Sequence, residues 1–179
     1  GRLDGGILRI TATEVALRVF LLPVLSRFRA RYPGVHIKLL NSSTPAAIEE
    51  LNKGLADLAF VTTPADITQK LRSTPLADVQ EVAVCGGAYR SLTGCKVTLE
   101  ALSGYPLISL GEHGSTYRLY RQFFADHHVP FEPDIEAATA DQILPMVKAN
   151  LGIGFVPATF LSEADWGQSI YPIDLVQKL

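Results

Sequence analysis

Leu17, Phe20, Leu21, Val24, Leu25 and Phe28 recur at intervals of three and four, a spacing that makes one side of a helix apolar. Arg18, Arg27, Arg29 and Arg31 fall mostly on its other faces. Pro23 lies inside the apolar stripe, where it removes a backbone donor and crowds the carbonyl four residues earlier; a kink or restart near Leu22 is expected. Ahead of this helix, "GGILRITA" reads as a strand led in by Gly5 and Gly6. "RYPG" ends the helix, and "VHIKLL" then alternates apolar and polar positions as a strand does. In "NSSTP", Thr44 suits an N-cap and Pro45 the first helical position. The pattern therefore predicts a second helix from Ala46 to Lys53, ended by Gly54, and "ADLAFVTT" as a buried strand that stops before Pro64.

The same order returns in the second half. "YPLISL" is an apolar strand, "GEHGST" a glycine-broken turn, and "YRLYRQFFADHH" a helix that offers Leu119, Tyr120, Phe123 and Phe124 for packing. "DIEAA" is a short strand, "TADQILPMVKAN" a helix capped by Thr139 with an internal Pro145, and "LGIGFVP" a buried strand. Strand, helix, strand, helix, strand in each half implies an α/β fold of mainly parallel sheets covered by helices. Between the halves lie "LRSTPLADVQEVAVCGG" and a short helix near "TLEAL", and "SIYPIDL" is a further strand-like run. The chain is expected to cross near Thr74 to Val79 and return near Ile170 to Asp174. Lobe I is then 1–76 with 172–179 returning to it, and lobe II is 77–171.

Composition narrows the function classes. A chain of 179 residues with 47% hydrophobic content can bury a substantial core. Sixteen Lys plus Arg against eighteen Asp plus Glu leave a net charge of −2, so nothing in the overall balance attracts a polyanion. No apolar run reaches the ~20 residues needed to span a bilayer, so no membrane partner is expected. Cys85 and Cys95 are too few for a disulfide framework and read as two unrelated thiols, with a redox pair as the alternative.

Candidate chemistry lies at the rims of the lobes, where strand carboxyl ends meet helix amino ends. Thr11 and Thr13 follow the first strand, Asn41, Ser42, Ser43 and Thr44 the second, and Thr62 and Thr63 the third. Ser115 and Thr116 open a helix in the other half. Unpaired N–H groups and partial positive charge at helix starts, together with hydroxyls, suit a carboxylate or other small anion. The plain alternative is that each hydroxyl only caps its helix. Glu14 beside Thr13 and His113 between the glycines of "GEHGST" complete the candidate effector set: Thr13, Glu14, Ser42, Ser43, Thr62, His113, Ser115 and Thr116. His113 reads equally well as an exposed loop residue. His127 and His128 are neighbours on one helix and point apart, so no metal pair is expected there. "GxSxG", "HExxH", a phosphate loop and "CxxC" are all absent, and no catalytic residue, metal or cofactor is assigned.

From about Gly5 to about Leu175 the chain resembles the effector-binding domain of LysR-type transcriptional regulators. The resemblance is carried by "GILRI", by "LPVLSRFRARYPGVHIKL" from Leu22 to Leu39, by "LNKGLADLAF" from Leu51 to Phe60 and by "GIGFVP" from Gly152 to Pro157. It implies two Rossmann-like lobes joined by two crossover strands, a type 2 periplasmic-binding-protein-like fold, with a small-molecule effector in the interlobe cleft. It also implies a cytoplasmic, non-enzymatic sensor that forms homodimers or homotetramers and meets DNA only through a winged helix-turn-helix domain, which would precede Gly1. The positions that hold the effector in the family align with Thr13, Ser43, Thr62 and Ser115. Val15 and Ala16 stand where some members carry polar contacts, which implies a less polar ligand edge or fewer hydrogen bonds, and the first helix, Leu17 to Phe28, is a candidate interface, with a stripe that is wholly core as the alternative. The chain departs from the family at "GGAY" from Gly86, and it ends near Leu179, short of the family's closing strand and helix. "GEHGST" also lacks the reactive cysteine of the peroxide-sensing branch. Two rivals are an exported solute-binding protein of the same fold and an enzyme using the cleft; an upstream export signal would mark the first, and turnover of bound ligand the second.

Overall fold

The computed structural model describes residues 5–162 and 165–179. The chain divides into two compact units, Gly1–Ala77 and Asp78–Leu179.

Unit 1 is built on a three-stranded parallel sheet of β1 (Ile7–Ala12), β2 (His36–Asn41) and β3 (Leu58–Phe60), in the order β2-β1-β3. Between β1 and β2 runs a helical stretch of three parts: α1 (Glu14–Ala16), a π-turn (Leu17–Leu21) and α2 (Leu22–Arg31). The π-turn stands where Pro23 predicts a restart. Pro23 has no N–H to donate, and the adjacent Leu22 N–H reaches back five residues to the Leu17 carbonyl, so the wider turn absorbs the missing bond. One sheet face, with Ile10 and Ala12 buried, packs under Leu21 and the half-buried Leu17 and Leu25. The other face is crossed by α3 (Thr44–Asn52), which buries Ala47 and Ile48 and ends at Gly54 with φ +72°.

Two expectations about helix starts are corrected. The N-cap of α3 is Ser43, whose Oγ accepts the Ala46 N–H at 3.4 Å, while Thr44 is the first helical residue and turns inward. Thr44 is drawn away because its hydroxyl both donates to the Thr62 carbonyl, at 2.8 Å, and accepts the Thr62 N–H, at 3.3 Å. Thr139 occupies an N-cap position, but its side chain makes no capping bond, and the turn it begins is a 3-10 turn, Ala140–Gln142.

Among its described residues unit 2 carries six strands: β4 (Glu81–Cys85), β5 (Lys96–Val97), β6 (Ile108–Leu110), β7 (Ile135–Ala137), β8 (Gly154–Pro157) and β9 (Tyr171–Leu175). One run is ordered β5-β9-β4-β8, and the parallel pair β6-β7 joins it through a bridge between Leu107 and Ile153. The helices are α4 (Leu99–Leu102), α5 (Ser115–Asp126) and α6 (Ile143–Lys148). The expectation of a mainly parallel sheet fails here, because β4 runs antiparallel to both β8 and β9. The expected return of 172–179 to the first lobe is corrected as well. β9 pairs with β4 and β5 inside unit 2, and its alternate residues Ile173 and Leu175 are buried in that unit's core. That core lies between α4, α5 and one sheet face, around Phe124, Phe155, Leu99 and Ile153.

Candidate functional site

In unit 1 the candidate residues collect at the carboxyl edge of the parallel sheet, because all three strands end there and helices begin after β1 and β2. The Thr13 hydroxyl accepts the Ala16 N–H at 3.1 Å as the N-cap of α1, and the Thr13 N–H donates to the Phe60 carbonyl at 3.0 Å, which ties β1 to β3. Thr62 donates from its hydroxyl to that of Thr13 at 3.4 Å, and its main chain is gripped by Thr44. Thr13, Thr44 and Thr62 thus form one hydroxyl bundle with the exposed Ser43 next in sequence. Capping stabilises such helix starts by about 1 kcal/mol, and Thr13 also braces Thr62. Thr13→Ala is therefore expected to lower unfolding free energy by about 1 kcal/mol, read by urea titration.

The next pair of candidates meets carboxylates. Ser42 donates to Glu50 Oε1 at 2.7 Å, and Glu14 accepts from the Asn41 side-chain amide at 3.1 Å. Asn41 and Ser42 are neighbours at the end of β2, so Glu14 and Glu50 flank that strand end, one on each side of the sheet. Sequence reasoning did not find Glu50. Its spacing of eight from Ser42 places it two turns along α3, and only the angle at which α3 leaves β2 brings the two together.

In unit 2, β6 leads into the turn Gly111–Gly114, closed by the Gly114 N–H donating to the Gly111 carbonyl at 3.0 Å. Ser115 opens α5 and is buried, and Thr116 is half-buried beside it. His113 lies apart from them: its side chain is 96% exposed, with Nε2 3.7 Å from Glu112 Oε1. His127 packs its ring against Phe123 at 5.2 Å. Among the described residues no group of three or more His, Cys, Asp or Glu could hold a metal ion, and no helix is long and apolar enough to cross a membrane. Cys85 is buried with its thiol pushed up by burial, Cys95 is exposed, and both are free.

Each unit thus presents helix amino ends lined with hydroxyls, a chemistry for holding oxygen-rich small molecules and anions. The rim at β2 adds two hydrogen-bond-accepting carboxylates.

Comparison with known proteins bears on the whole chain. Residues 1–176 match the LysR substrate binding domain family model. The chain is 30% identical over 171 residues to the HTH-type transcriptional regulator CysB of Burkholderia cenocepacia, covering 95% of this chain and 55% of that protein. It is 30% identical over 166 residues to the transcriptional activator LysR of Escherichia coli, covering 90% and 52%. The chain therefore spans about half the length of these relatives. Among solved structures, the Synechocystis CcmR regulatory domain in complex with 2-PG superimposes with a TM-score of 0.81 at 17% identity, over 97% of this chain and 82% of that one. The effector binding domain of QuiR in complex with shikimate gives 0.82 at 13% identity, over 98% and 83%. These likenesses establish the two-lobe, periplasmic-binding-protein-like α/β fold, and the family match and the relatives together show that the chain belongs to the LysR substrate binding domain family.

Proposed function

We propose that this chain is the sensory part of a LysR-type transcriptional regulator and binds a small effector, an anion or carboxylate, in the cleft between its lobes. The observation that carries the reading is the hydroxyl bundle of Thr13, Thr44 and Thr62 at the carboxyl edge of the unit 1 sheet, where helices begin. On this reading Thr13, Ser43 and Thr62 hold the effector from unit 1, and Ser115 and Thr116 hold it from the start of α5. Glu14 and Ser42 contact it at the β2 end, and His113 approaches it from its exposed loop. The relatives named as regulators, and the neighbours solved with 2-PG and shikimate, support a small-molecule sensor over an enzyme. Effector binding shifts the population between two arrangements by the ligand's differential affinity for them. The change reaches DNA through a helix-turn-helix domain and through pairing of copies into dimers or tetramers in the bacterial cytoplasm.

A thermal-melt screen tests this directly. Carboxylates, amino acids, aromatic acids and phosphorylated metabolites are each added to the purified chain, and hits are repeated with Ser43→Ala and Ser115→Ala. A ligand at a hundred times its dissociation constant should add about 2.7 kcal/mol. An upward shift that both substitutions diminish is the expected result. A shift that neither alters would move the site elsewhere.

A further inference from the structure

The hydroxyls at the unit 1 rim differ in which half of a hydrogen bond each still has free. A hydroxyl carries one proton and two lone pairs. Ser42 donates its proton to Glu50 Oε1 at 2.7 Å, so only lone pairs remain on it. Thr13 is the reverse: its oxygen accepts the Ala16 N–H at 3.1 Å and the Thr62 hydroxyl at 3.4 Å, and its own proton is left to donate. Ser43 accepts the Ala46 N–H at 3.4 Å and likewise keeps its proton. β1 and β2 pair in register up to Ala12 and Asn41, and the Ser42 N–H continues the ladder by donating to the Ala12 carbonyl at 3.0 Å. Thr13 and Ser42 therefore stand side by side, about 4.8 Å apart as neighbouring strands are.

We propose that the effector held at this rim is a carboxylate bearing a protonated amine, an amino acid in the simplest case, with its carboxylate toward Thr13 and Ser43 and its amine toward Ser42 and Glu50.

The inference rests on the effector site proposed above and adds the chemistry of its ligand. Charge favours an amine over a neutral donor at Ser42. Glu49 and Glu50 are neighbours on α3 with different partners: Glu49 is exposed and pairs with Lys53 at 2.6 Å, whereas Glu50 turns to Ser42. Among the described residues Glu50 is in no ion pair, and its Oε2 is closed to solvent without a hydrogen-bond partner. One hydroxyl is then all that answers its charge, and a carboxylate so placed attracts a cation. Ser42 passes the preference on, because a lone pair backed by a carboxylate accepts from an N–H and repels the oxygen of an anion. The ligand's own carboxylate meets the opposite conditions close by: two hydroxyl protons and the amino end of α3, which carries partial positive charge. One carbon separates the two charged groups of an α-amino acid, so a single small ligand spans the neighbouring positions.

Two kinds of ligand are thereby separated. An acid that lacks the amine leaves the Ser42 lone pairs without a donor, which lowers affinity about ten-fold or more. An acid with a second anionic group in place of the amine sets that group against Glu50 and is rejected more strongly.

The test surveys the melting temperature of the intact chain against the standard amino acids, each matched with the acid that lacks only its amine: alanine with propionate, aspartate with succinate, phenylalanine with 3-phenylpropionate. Calorimetric titration then compares each hit with its matched acid. At least one amino acid should bind, and about ten-fold or more tightly than its counterpart. Glu50→Gln should remove most of that preference, weakening the amino acid while the matched acid binds as before or better. Ser42→Ala should reduce the preference too, and it supplies the same reading if Glu50→Gln fails to fold. Ser43→Ala should weaken both members of a pair alike, because it acts on the carboxylate they share. Matched acids that bind as tightly as the amino acids, and are still weakened by Ser43→Ala, would overturn the amine and leave the effector site standing. Amino acids whose binding neither Ser43→Ala nor Glu50→Gln alters would overturn both. No shift with any amino acid, or a preference that survives Glu50→Gln and Ser42→Ala, would also overturn the inference.

Discussion

Phe124→Ala is expected to cost about 3–5 kcal/mol of stability, a large fraction of what a domain of this size possesses. Phe124 is fully buried at the centre of α5's inner face. Its ring lies 4.9 Å from Phe131, 6.1 Å from Phe123 and 6.2 Å from Phe155. These partners come from three different segments: the helix itself, the loop after it and β8. Removal of the ring loses apolar transfer energy and leaves a hole that no single neighbour can fill, because each is held by its own element. Trp166 is the single tryptophan and belongs to unit 2, so urea unfolding followed by its fluorescence reads this unit directly. A useful contrast is Leu22→Ala: Leu22 is 49% exposed at the start of α2, and its truncation should change stability by less than about 0.5 kcal/mol. Similar losses from both substitutions would mean that the aromatic cluster does not organise unit 2.

The elements legible in the sequence are those whose signal is local. Apolar spacing located α2 and α5, start and stop residues located α3, and Pro23 marked where the first helical run is interrupted, although the π-turn that resolves it depends on where the Leu22 N–H finds an acceptor. What stayed hidden depends on pairing across distance. Periodicity carries no strand direction, so β4 running antiparallel to β8 and β9 could not be read, nor could β9's place beside β4. The exchange of roles between Ser43 and Thr44 has the same origin. Either side chain can cap a helix, and only the Thr62 main chain arriving from β3 decides which one turns inward. The candidate hydroxyls were visible as a set because each follows a strand or opens a helix, whereas Glu50 needed the packing of helix on sheet to bring it to Ser42. For His113 the sequence left two readings open, a ligand contact and an exposed loop residue. Flanking glycines allow a close approach, but they do not require one, and its side chain stands almost wholly in solvent.

Gly152→Val is the second substitution expected to have a large effect, about 3 kcal/mol, and its cause is space rather than backbone conformation. A Cβ at Gly152 would lie 2.7 Å from the Pro106 carbonyl oxygen and 3.1 Å from its carbon, both main-chain atoms, and 3.2 Å from Ile108 Cγ1. A main-chain obstacle cannot rotate away as the end of a side chain can, so the two segments must separate. The obstructing oxygen is itself an acceptor: the Ile153 N–H donates to it at 2.8 Å, and the Ile108 N–H donates to the Ile153 carbonyl at 2.9 Å. These bonds and the Leu107 to Ile153 bridge are what couple β6 and β7 to the other strands of unit 2. Separation leaves buried amide groups unpaired, which adds about 1–3 kcal/mol to the steric cost. β6 ends at Leu110, immediately before the turn that presents Ser115 and Thr116, so the damage should spread to the candidate site. Hydrogen exchange should show faster exchange at Ile108 and Ile153 and through 111–116, while the amides of β1 and β2 keep their protection. Gly152→Ala should show the same pattern more weakly. A loss under 1 kcal/mol for the valine variant, with Ile153 still protected, would mean that β6 does not depend on this contact to keep its place beside β8.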